Sequence, residues 1–215
     1  MSADLLRKDL ILLVADKNME ASLKGLLSRF RSLKFRQVAF DLYVHPERDP
    51  GCLLRAHDFL RPFANQYERA LVLLDHDGCG QESEERSKLE SDLEKRLGET
   101  GWEGRAAAVI IAPELENWVW SDSPKVDIAL GWGEKTPPLR AWLGEKDLLQ
   151  VGAVKPAEPK RAVELALRTA RKPRSSAIYL ELAQGVSTAR CTDPAFAKLR
   201  QCLREWFPAS AAMLR

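Results

Sequence analysis

The apolar run Ala70-Leu71-Val72-Leu73-Leu74 ends abruptly in Asp75-His76-Asp77-Gly78. Two other apolar runs end in acids as well. Residues 10–15 are followed by Asp16 and, four residues on, Glu20; residues 106–112 are followed by Glu114 and Glu116. Carboxylates crowded into one place repel each other and cannot all ionise cheaply. A divalent cation removes that cost. Magnesium takes oxygen ligands, keeps several waters and is commonly held by one or two carboxylates together with substrate phosphate. Phosphodiester cleavage assisted by one or two cations uses such a set. On an extended strand neighbouring side chains alternate, so Asp75 and Asp77 share a face and His76 takes the other. Gly78 and the following Cys79-Gly80 favour a turn there. The structural reading of the outer acids is plainer: Glu20 and Glu114 could be first-turn helix acids, which favour a helix N-terminus.

Positioning these acids on one rim needs strands that end together. Residues 9–15 are a continuous apolar run led in by one acid, the pattern of a strand buried on both faces of a parallel sheet. Residues 19–30 place Met19, Leu23, Leu26, Leu27 and Phe30 at helical spacing. Val38, Phe40, Leu42 and Val44 alternate as a second strand. Residues 52–67 follow as a helix weakened by Pro62. Residues 70–74 form the third strand, 82–97 a charged amphipathic helix stopped by Gly98, and 105–112 a fourth strand. Residues 114–120 open another helix. This β-α alternation up to residue 122 predicts an α/β core with a mostly parallel sheet flanked by helices. From residue 123 prolines punctuate the chain, and residues 158–172 and 194–206 read as helices with Pro in the first turn. The expected organisation is therefore a core, 1–122, with a helical extension, 123–215, packed on it. Ligands of open α/β sheets sit outside the carboxyl ends of the strands, where all three pairs of acids fall.

The chain has 215 residues, of which 45% are hydrophobic and 30% charged. That is enough to bury a core without staples, and it excludes collagenous, coiled-coil and disordered classes. No apolar run approaches the ~18 residues of a membrane helix. The N-terminus lacks the apolar core of a signal peptide. The four cysteines are scattered without CxxC spacing, which speaks against a disulfide framework or thiolate zinc site. A cytoplasmic protein is expected, with no membrane partner.

The order of these features resembles the Toprim domain of topoisomerases, primases, OLD-type nucleases and small stand-alone bacterial proteins. Asp16-Lys17-Asn18-Met19-Glu20 matches its first motif, usually Glu-Gly-x-x-Glu, with Asp in place of Glu and Lys in place of Gly. Asp75-His76-Asp77 matches its DxD. The stretch Glu114-Leu115-Glu116-Asn117-Trp118-Val119-Trp120-Ser121-Asp122 and the later Pro194-Ala195-Phe196-Ala197-Lys198-Leu199 are similar to segments of stand-alone Toprim-like proteins in bacterial defence loci. The resemblance covers most of the chain. It implies Mg²⁺ (or Mn²⁺) held by Asp75 and Asp77, with Asp16 as further ligand or general acid/base and Glu20 and Glu116 as auxiliaries. It implies a nuclease, working in a phage-defence complex with protein partners. The shorter Asp16 arm would displace that carboxylate by about an ångström, enough to cost ~10²-fold in rate.

Two other functions compete. The string from Leu71 to Gly78 also looks like the nucleophile loop of haloacid-dehalogenase-type phosphatases, although that loop usually lies on a first strand and continues with Thr or Val. An altered first motif equally suits a non-catalytic binding or regulatory subunit. Four of the six tryptophans fall between 118 and 142. Trp is enriched at interface hot spots, though these could simply fill the seam between core and extension. A nucleic-acid partner, DNA before RNA, needs phosphate contacts. Net charge is only +2, yet Lys155 to Arg174 holds seven bases against two acids. Arg161, Arg168 and Lys172 fall on one helical stripe, with Lys160 and Arg171 beside it, and together they form the candidate nucleic-acid-binding set. A solvated helix face is the structural reading of the same run.

Overall fold

The computed structural model describes residues 7–188 and 191–210. Four parallel strands form its sheet: β1 (Lys8–Val14), β2 (Phe40–Val44), β3 (Tyr67–Asp75) and β4 (Ala106–Ile111), in the spatial order β2-β1-β3-β4. The protein is thus α/β with an all-parallel sheet flanked by helices. The continuous apolar runs are the strands buried on both faces: Leu10 to Ala15 and Ala70 to Leu74 are wholly inaccessible. β2, whose residues alternate, is the half-buried edge.

The helices fall on both faces. α1 (Lys17–Leu27) packs on β1 and β2, and a four-residue α2 (Phe30–Leu33) follows it. α3 (Arg48–Leu60) and α4 (Arg86–Leu97) pack on each other and on β1, β3 and β4. Right-handed crossovers require this division, because the chain leaves β1 toward one edge and later returns toward the other. Helix limits differ from the sequence reading where turn chemistry intervenes. α3 begins four residues earlier than expected, since Pro50 in its first turn gives up an N–H that would be unpaired there. It ends before Pro62, which sits in a 3₁₀ turn, Arg61–Phe63. α4 starts later, because Gly78 and Gly80 take positive φ of 86° and 85°, and Glu82 Oε1 accepts hydrogen bonds from both of their N–H groups.

Beyond β4 come a 3₁₀ turn, Leu115–Trp118, and then α5 (Pro124–Ala129), α6 (Leu139–Glu145), α7 (Pro159–Ala170), α8 (Ser176–Gly185) and α9 (Pro194–Trp206). α8 lies on α1 at close range: a Cβ on Gly25 would stand 2.6 Å from the Ala183 Cβ, so glycine lets the two helices meet. α9 covers the open edge of β4. Two amides on that edge are answered by side chains: Ala108 N donates to Glu94 Oε1 and Ile110 N to Glu90 Oε1, each at 2.9 Å. Lys198 of α9 bridges both acids, 3.1 Å from Glu90 Oε2 and 2.7 Å from Glu94 Oε1. An exposed edge would template pairing with another chain, and this arrangement blocks it. Among the described residues no helix is long and apolar enough to cross a membrane.

Candidate active site

The spatial order turns the strand ends into a site. β1 and β3 are neighbours, and their following connections run to opposite sides. The gap between their carboxyl ends is therefore the topological switch point, where ligands of such sheets bind. Asp16 stands just after β1 and Asp75 is the last residue of β3. β4 contributes Glu114 and Glu116 from the connection that follows it. The segment after β2 contributes Asp49, in the first turn of α3. The sequence reading omitted Asp49. Its available signal was an Asp-Pro pair shortly after the second strand, hidden by starting the helix at residue 52.

Asp75 is half-buried, and its Oδ1 accepts a 2.7 Å hydrogen bond from Leu115 N. Its own N–H donates to Asp49 Oδ1 at 2.8 Å, which ties β3 to the start of α3. Burial pushes the Asp75 carboxyl well above the ordinary range. The negative charges of Asp49, Glu116 and Asp16 push the same way, and the Leu115 amide only partly opposes them. Asp49 is raised too, first by burial and then by Asp16, against the hydrogen bond from Asp75 N and the charge of Lys160. Glu114, buried, is raised by burial and by Glu116, against Lys160. Three acids on one rim are thus raised in the same direction, by burial first and by one another's negative charge second.

The remaining acids are engaged locally. Asp16 caps α1, with Oδ1 accepting from Asn18 N and Met19 N, both at 2.8 Å. Glu20 lies between Lys17 and Lys24, each 2.7 Å away. Glu116 is only 2% exposed; its Oε1 accepts from Arg174 Nη2 at 2.7 Å and from the Tyr179 hydroxyl at 2.5 Å. Asp77 is exposed, held by its N–H to Pro113 O. So Asp16, Asp75 and Glu116 share one electrostatic field with the newly found Asp49. Asp77 opens instead onto an adjoining groove of about 330 Å³, which Glu114, Lys160 and Arg161 also line. Glu20 is turned to its two lysines.

Lys160 joins the rim from the start of α7. Its N–H donates to Glu114 Oε1 at 3.0 Å, and its ammonium stands 3.3 Å from Glu114 Oε2. Burial works against that charge, but Glu114, Glu116 and Asp75 together keep its pKa raised. Arg161 pairs with Glu158 at 2.9 Å. Arg168 and Arg171 are exposed at the far end of a helix about 18 Å long. Lys172 turns inward and donates to Ala129 O at 2.7 Å, closing the end of α5. The basic set is therefore split: two members line the groove, two lie apart, and one serves the packing.

Among the described residues no three His, Cys, Asp or Glu side chains converge closely enough to enclose a metal ion. Magnesium asks for less, since one or two carboxylates and several waters hold it. The chemistry of the donors fits such an ion: they are carboxylate oxygens, and Asp75 feels the charges of Asp49, Glu116 and Asp16 in addition to its burial. Searches against protein-family models, curated proteins and solved structures each returned no match to this chain.

Proposed function

We propose that the switch-point site carries out Mg²⁺- or Mn²⁺-dependent phosphodiester chemistry on nucleic acid, as a nuclease of the Toprim-like kind. The observation that carries the reading is Asp75, a carboxyl driven toward protonation by burial and by three neighbouring acids at the place where such sheets bind ligands. Asp75 would hold the ion, with Asp77 or Glu116 completing its oxygen ligands through water. When bound, the ion supplies charge neutralisation on the phosphate oxygens. Asp49 and Asp16, whose charges act on Asp75, would take or give a proton. Lys160 and Arg161 line the groove beside Asp77 and would align the phosphate backbone of DNA, or of RNA. Membership of a bacterial defence complex is supported by the sequence resemblance only.

A second reading, a non-catalytic binding subunit, is favoured by the engagement of Asp16, Glu20 and Glu116 in capping and ion pairs. One experiment separates the two. Wild type and Asp75→Asn are incubated with plasmid, linear DNA and RNA plus Mg²⁺ or Mn²⁺, and thermal stability is followed against metal. Metal-dependent cleavage and stabilisation, both lost in Asp75→Asn, are the expected result. Stabilisation without cleavage would select the binding subunit. Equal metal responses in the two proteins would overturn the metal site. Hydrolysis of p-nitrophenyl phosphate without cleavage of any polynucleotide would select a phosphatase.

A further inference from the structure

A second cavity, of about 480 Å³, lies behind the acidic rim, between α1, α8 and the chain that follows β4. Its size falls within the ~300–1,000 Å³ of small-molecule sites. Four aromatic side chains, Trp118, Trp120, Tyr179 and Phe196, line it. The polar ends of three of them are already bonded elsewhere. Trp118 Nε1 donates to Asp193 Oδ1 at 2.9 Å, Trp120 Nε1 to Pro159 O at 3.0 Å, and the Tyr179 hydroxyl to Glu116. Trp120, Tyr179 and Phe196 are themselves buried, and Phe196 packs edge-on against Trp118, so the ring open to a guest is chiefly the half-buried Trp118, and a flat ring selects a flat, apolar body.

The charge lining the cavity is equally informative. Lys155 lines it and stands 4.0 Å from Asp193 Oδ2, beyond hydrogen-bond length. Asp193 meanwhile accepts from Trp118 Nε1, Asn117 Nδ2 and Phe196 N, so its oxygens are well supplied. The Lys155 ammonium therefore has donors to give to an incoming anion. Among the described residues the one lining carboxylate, Asp122, is 83% exposed at the lip and faces Arg140 at 3.8 Å. Hydroxyl residues, among them Ser22, Ser121 and Thr192, add to the polar lining.

We propose that this cavity is a binding site for a small planar aromatic anion, its ring system stacked on Trp118 and its anionic group on Lys155. The site is distinct from the rim yet shares a wall with it. Leu115 and Tyr179 line the cavity, and the same two residues bond Asp75 and Glu116. The binding claim does not rest on the nuclease reading and is tested without metal or nucleic acid.

Two dyes serve as probes: anilinonaphthalene sulfonate, an aromatic anion built on a flat naphthalene ring, and phenylnaphthylamine, the same body without the charge. The folded wild type is expected to bind one equivalent of each, with enhanced dye emission. Lys155→Gln should weaken the sulfonate dye about tenfold, the usual loss of a hydrogen bond to a charged group, and leave the neutral dye within about twofold. Ser22→Phe on α1 and Ser121→Trp at the half-exposed lip, each checked by circular dichroism, fill the cavity from different sides. Either one folded should abolish binding of both dyes. Absence of saturable binding by the wild type would overturn the proposal. So would unchanged binding in a folded filled variant, or equal weakening of both dyes by Lys155→Gln.

Discussion

A carboxyl that is half-buried among other carboxyls is stable in one of two ways: it keeps its proton, or it acquires a cation. Asp75 stands in that position, and its titration has a definite sign. The folded protein holds the Asp75 proton to higher pH than the unfolded chain does. Stability is therefore fully present below the unfolded carboxylate value and falls as pH rises through the folded one. Asp75→Asn keeps an oxygen to accept the Leu115 N–H and removes the charge. Denaturant midpoints measured in EDTA from about pH 4 to 8 should fall for the wild type and fall less for Asp75→Asn. At neutral pH the variant should be the more stable, by more than the ~0.5 kcal/mol of ordinary surface changes. Parallel curves for the two proteins would show that Asp75 is not under this strain. Asp49 and Glu114, raised for like reasons, leave a residual slope in the variant.

At the scale of the elements, the sequence was most legible where one force dominates. Continuous apolar runs gave β1, β3 and β4 to within a few residues, because strands buried on both faces admit little else. Helix starts were less legible, since α3 and α4 begin where Pro50 and the Gly78–Gly80 turn allow rather than where hydrophobic spacing begins. α8 was missed altogether. It is short, and its identity depends on the face of α1 that it meets at Gly25, a contact that local periodicity does not encode. The candidate site was half-legible for the same reason. Acids after strands are visible in the chain, but the order β2-β1-β3-β4 decides which of them meet, and it brought in Asp49 while leaving Glu20 to its lysines. The β4 edge makes a test of such tertiary contacts. Glu90 is 4% exposed and accepts from Ile110 N, Arg86 and Lys198. Glu90→Ala leaves a buried amide unanswered and should cost about 1–3 kcal/mol, with faster exchange of the Ile110 amide hydrogen. Glu90→Gln retains an acceptor and should cost less. Unaltered Ile110 exchange in Glu90→Ala would mean that the side chain does not guard the edge.

Across the whole molecule the near-neutral charge conceals a segregation that the fold makes use of. Asp75 to Glu103 carries ten acids against four bases, and Lys155 to Arg174 seven bases against two acids. Part of that basic run is turned inward. Arg174 reaches the buried Glu116 and the half-buried Glu164, at 2.7 and 2.5 Å, and so joins the segment before α8 to the end of the sheet. The apolar core is likewise continuous: Leu12, Leu73 and Ile110 of the strands belong to the same buried group as Trp120, Trp132, Leu143, Ala166 and Leu199. Strands and later helices should therefore unfold together. Tryptophan emission, weighted toward residues 118–142, and far-ultraviolet circular dichroism should report one coincident transition in urea. Arg174→Met removes the cation from a carboxylate that stays buried. Full burial of both partners would put the loss at about 3–5 kcal/mol, but Arg174 is 35% exposed and Tyr179 still donates to Glu116, so about 1–3 kcal/mol is expected. The transition should shift to lower urea and remain single for both signals. If emission moved ahead of circular dichroism in the wild type, the later helices would be a unit that unfolds on its own, and Arg174 would be a surface contact between two parts rather than a joint within one.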